Sequence, residues 1–155
     1  MNKELYFLRS SEQKIVVNMF DYAHPNRSEE LLKYTEYYGL TTKDLGLYAL
    51  VDNKIAGAIW SRKFSPDETP VLSVAIVPEF KNEGIGAFMM NQFLQEAAVI
   101  YDELLINISA KEKALAFYEK FGFVKNETNF LLTKKLEKKE IVRPTDGYDP
   151  TRWMD

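Results

Sequence analysis

The segment VLSVAIVPEFKNEGIGAFMM, residues 71–90, constrains the fold of this chain more than any other part of the sequence. Its first residues are apolar and β-branched, which is typical of a strand, and Pro78 ends that strand because proline cannot donate to a sheet ladder. A loop containing Gly84 and Gly86 then leads directly into residues with helical spacing. The segment therefore predicts a strand that passes through a glycine loop into a helix.

This junction begins a strand, helix, strand unit. The apolar residues after the loop recur at helical spacing: Ile85, Phe88, Met89, Phe93 and Ala97. Residues 103–108 then return to strand-like alternation with β-branched side chains. Because the crossover in such a unit is right-handed, its two strands are predicted to lie parallel within an otherwise antiparallel sheet.

The N-terminal part of the chain predicts a strand, two helices and a hairpin. The predicted elements are, in order, a strand at 5–9, a helix capped by Ser10 or Ser11, a helix from Ser28 to about Gly39, and strands at 45–51 and 55–60. Asp52 and Asn53 separate the last two strands, as a two-residue hairpin loop does. We therefore expect these two strands to pair antiparallel.

The C-terminal part predicts one more helix and one more strand. The helix spans about 111–121 and ends at Gly122, a typical C′ glycine. The last strand spans 130–136, and Lys134-Lys135 near its end suits an edge strand protected by charge. Residues 137–155 follow without clear periodicity, so we expect one domain over 1–136 and a C-terminal extension over 137–155.

Composition narrows the possible partners. The 20 lysines and arginines are scattered among 23 acidic residues, so the basic face of a nucleic-acid binder is missing. The chain has no cysteine and only one histidine, His24, so no metal site is expected. The absence of cysteine is also consistent with a protein of a reducing compartment. No apolar run approaches the length of a membrane span or a signal-peptide core. We expect a cytoplasmic protein with no nucleic-acid or membrane partner.

The glycine loop favours an anionic ligand such as a phosphate. The first N–H groups of a helix have no internal partners, and glycines let an anion approach them. Taken alone, Gly84 and Gly86 are better explained by a tight strand-to-helix turn than by a phosphate site. The spacing of the loop matches neither the dinucleotide-binding fingerprint nor the P-loop. Met89 stands where the G-x-G-x-x-G fingerprint needs glycine, and the Gly-Lys-Ser/Thr ending of a P-loop is absent.

Residues 81–86, Lys-Asn-Glu-Gly-Ile-Gly, resemble the signature of the GNAT acetyltransferase superfamily: Arg or Gln, two residues, Gly, one residue, then Gly or Ala. The match fails only at Lys81. A second segment, KALAFYEKFGF at 113–123, is similar to the family's helix that closes over coenzyme A. The motifs occur in the family's order, one strand apart, and the resemblance covers Leu5 to about Leu136.

The resemblance implies an α+β fold, an α/β/α sandwich. Its mixed, mostly antiparallel sheet has about six to seven strands and about four flanking helices, and its central parallel pair splays to hold coenzyme A. Acetyl-coenzyme A is the implied cosubstrate, with no metal.

The resemblance also implies which residues contact the cofactor. The Val74 amide would face the thioester oxygen, and the backbone of Ile76 and Val77 would pair with pantetheine. The residues that would cradle the pyrophosphate are Asn82, Glu83, Gly84, Ile85 and Gly86. The remaining implied cofactor contacts are Lys81, Ala87, Asn107, Lys111, Ala114, Phe117 and Tyr118.

The implied reaction is N-acetylation of an unidentified primary amine by direct attack in a ternary complex. Tyr118 is the implied donor to the departing thiolate, and its plainer interpretation is a core aromatic on an amphipathic helix. Residues 70–77 contain no carboxylate, so water relayed through backbone carbonyls is the expected route for the amine proton. Asp67, Glu68 and Glu79 are interpreted as solvated loop charges.

Several alternatives stay open at the level of sequence. Lys81 replaces Arg or Gln, and Lys111 stands where many family members have Asn, so a catalytically weak or inactive acyl-coenzyme A sensor is the alternative function. The acceptor classes are a small amine, an antibiotic, a polyamine or a protein N-terminus. His24 suits either a contact with the acceptor or a surface turn. An aromatic and acidic wall for a cationic amine, or equally a half-buried helix face, would consist of Tyr34, Glu36, Tyr37 and Tyr38. A monomer or a homodimer is expected.

Overall fold

A computed structural model describes residues 2–8, 18, 44–63, 67–106, 112–125 and 132–137. The strands are β1 (Lys3–Phe7), β2 (Leu45–Val51), β3 (Lys54–Arg62), β4 (Val71–Ile76), β5 (Glu103–Ile106), β6 (Val124–Lys125) and β7 (Leu132–Lys135). The helices are α1 (Ile85–Ile100) and α2 (Glu112–Lys120), with a short 3₁₀ turn at Pro78–Phe80. These elements agree with the predicted ones to within a few residues at each end, except for β6, which was not predicted.

The seven strands form one sheet in the order β1-β2-β3-β4-β5-β7-β6. Every neighbouring pair is antiparallel except β4 and β5, which are parallel. The predicted mixed, mostly antiparallel sheet with a central parallel pair is therefore confirmed. The crossover through α1 is what allows β4 and β5 to run in the same direction.

The β2–β3 hairpin turns at Asp52 and Asn53, as predicted. Their φ angles are +50° and +68°, so both lie in the left-handed region required at both central residues of a type I′ turn. Asp and Asn tolerate this region better than other non-glycine residues. The turn places Val51 opposite Lys54 and starts the register of the central antiparallel strands.

The prediction that the last strand is a sheet edge is wrong. β7 lies between β5 and β6, and the two-residue strand β6 forms the edge, with Val124 opposite Thr133 and Lys125 opposite Leu132. Two residues are too few to show a period-2 alternation, so the sequence pattern gave no sign of β6. β6 pairs with Leu132 and Thr133, and Lys134 and Lys135 lie beyond this pairing in the described residues.

Helix α1 packs on the sheet through an apolar stripe at i, i+4 spacing. The stripe is buried and consists of Ile85, Met89, Phe93 and Ala97. Gly57 on β3 makes room for it, since a Cβ at Gly57 would lie 3.1 Å from Met89 Cε and 2.7 Å from the Ala75 carbonyl oxygen. Burial of side chains as large as Met89 and Phe93 contributes about 1.5–3 kcal/mol each. This packing fixes the N-terminus of α1 at the end of β4.

The predicted count of about four helices is not confirmed, because the described ranges contain two. The predicted helices before residue 40 lie outside these ranges apart from Asn18, which is helical. Over the described part of the chain, no helix is both long and apolar enough to cross a membrane.

Candidate active site

Within the described residues, strands β4 and β5 pair at their beginnings. Their described register contains a single pair, Val71 with Leu105, supported by a 3.0 Å hydrogen bond from the Leu105 N–H to the Pro70 carbonyl. Leu72 and Ile106 are next in that register, and they are not paired. β4 continues to Ile76, and the residues that follow Ile106 in this register, 107–110, lie outside the described residues. We call the side of β4 that faces β5 from Leu72 to Ile76 the β4–β5 gap.

The backbone of β4 presents alternate residues to this gap. The Val77 N–H donates to the Ala56 carbonyl on β3 at 2.8 Å, whereas the Pro70 carbonyl accepts from β5. Since bonding direction alternates along a strand, the N–H groups of Val74 and Ile76 point toward β5. The Val77 carbonyl accepts from the Phe80 N–H, so both backbone groups of Val77 already have partners in the fold. Val74 and Ile76 thus present backbone donors to the gap, and Val77 does not.

The glycine loop follows β4 immediately. Phe80 is buried and anchors the 3₁₀ turn, while the next four residues, 81–84, are all exposed. Asn82 and Gly84 have φ angles of +66° and +78°, so left-handed residues alternate with ordinary ones along the loop. Such alternation turns successive N–H groups toward one side and makes a concave anion-binding backbone. The left-handed Asn82 was not anticipated, although asparagine is suited to it.

Glu83 and Ile85 can serve an anion only through their backbone. Glu83 lies between the two left-handed residues with its side chain exposed, and a carboxylate repels a phosphate. Ile85 is 1% exposed, so its side chain belongs to the core rather than to the loop surface. The predicted contacts of Glu83 and Ile85 with the pyrophosphate are therefore restricted to their N–H groups.

Within the described part of the chain, no side chain caps the N–H groups of the first turn of α1. Gly84 is the N-cap, makes no side-chain cap hydrogen bond, and is followed by a first turn without acidic residues. Lys81 is exposed three residues before the cap and brings a positive charge to this end. Unpaired N–H groups, the helix dipole and a nearby cation all favour an anion here.

Gly86 is where β4, α1 and α2 meet. A Cβ at this position would lie 3.1 Å from Phe117 Cζ and 3.2 Å from Ile76 Cδ1, closer than most real Cβ contacts. The absence of a side chain therefore lets the start of α1 lie against both neighbours. Three residues that the family resemblance assigned to the cofactor, Ile76, Gly86 and Phe117, are brought together around one point.

Tyr118 is held by the C-terminal cap of α2. Gly122 has φ +89°, its N–H bonds to the Glu119 carbonyl, and the Phe123 N–H bonds to the Tyr118 carbonyl. These two bonds form a Schellman motif, and the accompanying apolar contact joins Phe123 to Tyr118 with ring centroids 5.8 Å apart. The predicted C′ glycine is confirmed, and it fixes the ring of Tyr118.

Tyr118 is 8% exposed, and its hydroxyl makes no hydrogen bond within the described residues. Burial raises the pKa of Tyr118 from 10.0 to about 12, because the phenolate is poorly solvated there. At neutral pH the hydroxyl is therefore protonated, able to donate and unable to act as a base.

Other predicted site residues lie outside this description or in solvent. Asn107, Lys111 and His24 fall outside the described residues, and so do the tyrosines of the predicted acceptor wall. Ala114 lies in α2, with its side chain outside the description. The carboxylates on either side of β4 are exposed, as expected of solvated loop charges: Asp67, Glu68 and Glu79.

The sequence analysis did not identify a polar cluster at the closed end of the gap. The hydroxyls of Ser61 and Tyr101 are 2.8 Å apart, and Arg62 Nε lies 3.0 Å from the Asp44 carboxylate. The hydroxyl pair joins residues 40 positions apart, so no local pattern or spacing signals it.

The mixed sheet with one parallel pair, and the glycine turn that leads from β4 into α1, give the fold of the GNAT acetyltransferases. The family model described as acetyltransferase (GNAT) domain matches residues 43–125, and the chain belongs to this family. A comparison with curated proteins finds no match.

Three similar solved structures share the fold. A GNAT-family acetyltransferase from Streptococcus pneumoniae has 16% identity and a TM-score of 0.66, with 88% of this chain and 100% of that chain covered. The ribosomal-protein-S18-alanine N-acetyltransferase of Escherichia coli has 14% identity and a TM-score of 0.67, with 89% and 96% covered. The PaiA N-acetyltransferase of Thermoplasma acidophilum, in complex with coenzyme A, has 17% identity and a TM-score of 0.63, with 87% and 99% covered.

Proposed function

We propose that this protein transfers the acetyl group of acetyl-coenzyme A to a primary amine, by direct attack within a ternary complex. The observation that carries the proposal is the glycine turn without a side-chain cap at the start of α1, which follows directly on β4, a strand of the parallel pair. Two similar proteins add support, since one contains coenzyme A and the other is an N-acetyltransferase acting on a ribosomal-protein alanine.

The cofactor would lie along β4 with its phosphates at the start of α1. Residues 82–86 would bind the pyrophosphate through backbone N–H groups, and Ala87 would lie beside it on the same turn. The exposed Lys81 would add charge, as a point cation rather than the planar fork of an arginine. The Ile76 N–H would bond to pantetheine, placing the thioester near Val74 two residues earlier on the same side of the strand.

The reaction forms a C–N bond and breaks the C–S bond of the thioester. A neutral amine attacks the carbonyl carbon, and the oxygen gathers negative charge beside the Val74 N–H, which stabilises it by hydrogen bonding. The carbonyl then re-forms and the coenzyme A thiolate departs. The attacking nitrogen loses one proton, which passes to water, because β4 carries no carboxylate to accept it.

Tyr118 would stabilise the departing thiolate. A thiol has an ordinary pKa of about 8.5, well below the pKa of about 12 to which burial raises Tyr118. Full proton transfer from the tyrosine to the thiolate is therefore unfavourable, whereas a hydrogen bond from its hydroxyl is not. The role proposed for Tyr118 is donation of that bond in the transition state.

The test is release of free thiol from acetyl-coenzyme A in the presence of a panel of amines. The panel contains a small alkylamine, a polyamine, an aminoglycoside and a peptide with a free N-terminus, and mass spectrometry identifies the acetylated product. We expect thiol release above the rate without amine for at least one class. Binding of acetyl-coenzyme A with no release for any class would instead favour the sensor function.

A further inference from the structure

We propose that Ser73 orients the attacking amine, its hydroxyl accepting a hydrogen bond from the amine N–H on the face of the sheet opposite α1. This role rests on the proposed function and assigns to it a side chain that touches the acceptor. Ser73 is the only polar side chain of β4, and its hydroxyl makes no hydrogen bond within the described residues.

β4 presents different side chains to the two faces of the sheet. Ile76 packs against Gly86 at the start of α1. Val74 lies on the same face as Ile76, because side chains alternate along a strand. Ser73 therefore points to the opposite face, where it is the register partner of Trp60 on β3. We call this face, away from α1, the far face. Since α1 and its core contacts cover the other face of β4, an amine has access to the strand from the far face.

The far face is partly open beside Ser73. Four register neighbours on β4, β5 and β7 are partly exposed there: Val71, Ser73, Leu105 and Thr133. Their neighbours on the face covered by α1 are all buried: Leu72, Leu104, Ile106 and Leu132. The far face is buried again at Trp60 on β3 and at Ala75, two residues further along β4. Ser73 thus lies at the end of the open part of this face.

Ser73 and Val74 share one peptide unit. In the proposed reaction the Val74 N–H bonds to the thioester oxygen, and the nitrogen of that group is attached to the carbonyl carbon of Ser73. Covalent geometry then keeps the Ser73 hydroxyl oxygen within about 5 Å of the Val74 nitrogen. A nitrogen that attacks the thioester carbon from the far face can therefore lie within hydrogen-bonding reach of this hydroxyl.

The bond to Ser73 would strengthen as the reaction proceeds. The attacking nitrogen gains positive charge while its bond to carbon forms, so its N–H groups become stronger donors. The serine oxygen accepts one of these bonds and keeps its own proton. The amine proton leaves to water, which reaches Ser73 because the residue is partly exposed. Because the contact is stronger in the transition state than in the ground state, its loss should lower kcat.

Ser73→Ala removes the hydroxyl and leaves the backbone of β4 in place. With an amine that the wild type acetylates, kcat should fall about tenfold, the effect of one lost hydrogen bond to a charged group. The dissociation constant for acetyl-coenzyme A should stay within about twofold, because the acceptor takes no part in that binding. Ser73→Thr keeps a hydroxyl and suits a strand, so its kcat should lie within about threefold of the wild type.

Thr133→Val is the matched control, since it removes another partly exposed hydroxyl from the far face, on β7 and two strands away from β4. Its kcat should equal that of the wild type. An unchanged kcat in Ser73→Ala, or an equal loss in Thr133→Val, would overturn the role of Ser73. A tenfold loss of affinity for acetyl-coenzyme A in Ser73→Ala would overturn it too, because it indicates a distorted strand.

The same measurements separate this role from the proposed function. If the wild type acetylates no amine of the panel, the proposed function fails and the role of Ser73 fails with it. If the wild type is active and Ser73→Ala is equally active, only the role of Ser73 is rejected.

Discussion

Tyr118 is a core side chain that carries an ionisable hydroxyl. Its ring is a core side chain, packed on Phe123 and held by the Schellman motif at the end of α2. Its hydroxyl stays protonated at neutral pH, because burial raises the pKa to about 12. The family-like segment at 113–123 identified Tyr118 as a candidate donor. The helical spacing of the same segment explained Tyr118 equally well as a core aromatic. Only the cap geometry shows why the ring is fixed.

Tyr118→Phe isolates the hydroxyl, since it keeps the ring and removes an oxygen without a described hydrogen bond. We expect kcat to fall about tenfold to hundredfold, the range for a lost hydrogen bond to a charged group. The dissociation constant for acetyl-coenzyme A should stay within about twofold, because the bond forms only as the thiolate departs. Steady-state kinetics and calorimetry measure the two quantities. A variant with wild-type kcat would remove Tyr118 from the reaction.

At the scale of elements, the passage from β4 through the loop into α1 was predictable from the sequence. The strand β6 and the place of β7 in the sheet were not. β-Branched residues, a proline and two glycines mark strand, stop and loop in one continuous segment, so each local signal supports the next. β6 was missed because two residues have no periodicity, and without it β7 was assigned to the edge. The Ser61–Tyr101 bond could not be predicted, since it depends on which strands become neighbours.

Gly86→Ala tests the contact between α1, α2 and β4. The added methyl group would meet Phe117 and Ile76 at 3.1 and 3.2 Å, so these side chains must shift by a few tenths of an ångström. Alanine also favours the helix by about 1 kcal/mol over glycine, which offsets the crowding. We expect a nearly unchanged melting temperature and about tenfold weaker binding of acetyl-coenzyme A.

Val99→Ala, on the exposed face of the same helix, is the control and should bind the cofactor as the wild type does. Gly84→Ala tests the effect of backbone strain without the crowding that Gly86→Ala introduces. Its Cβ would meet nothing within 4 Å, but φ +78° should cost about 1–2 kcal/mol of stability. Wild-type affinity in Gly86→Ala would mean that this contact does not shape the cofactor site.

At the scale of the whole molecule, the sheet consists of antiparallel strands on both sides of one parallel pair. The handedness of the crossover makes the parallel pair predictable from sequence. The parallel pair lies between β3 and β7 because of the order of all seven strands. No local sequence pattern indicates that order. Thus the loop and the parallel pair could be inferred from the sequence and the family resemblance, whereas the neighbours of that pair required the assembled sheet.

The buried tyrosines make the stability of the whole fold sensitive to alkali. Tyr118 has a folded pKa of about 12 against 10.0 in the unfolded chain, so its stabilising effect is complete below about pH 10. Between pH 10 and 12 the unfolded chain ionises first, and about 2–3 kcal/mol is lost at 1.36 kcal/mol per pKa unit. Burial, opposed by the Ser61 bond and reinforced by Asp44, also raises the pKa of Tyr101, which adds to the loss.

Urea unfolding at pH 8, 10, 11 and 12 measures this loss in the wild type and in Tyr118→Phe. Because phenylalanine does not ionise, the variant should lose about 2–3 kcal/mol less across the window, while the contribution of Tyr101 and the lysines cancels between the two proteins. Parallel losses would mean that the Tyr118 hydroxyl is solvated in the folded protein. A solvated hydroxyl would also be a weaker donor to the thiolate, so the same result would weaken its proposed role in the reaction.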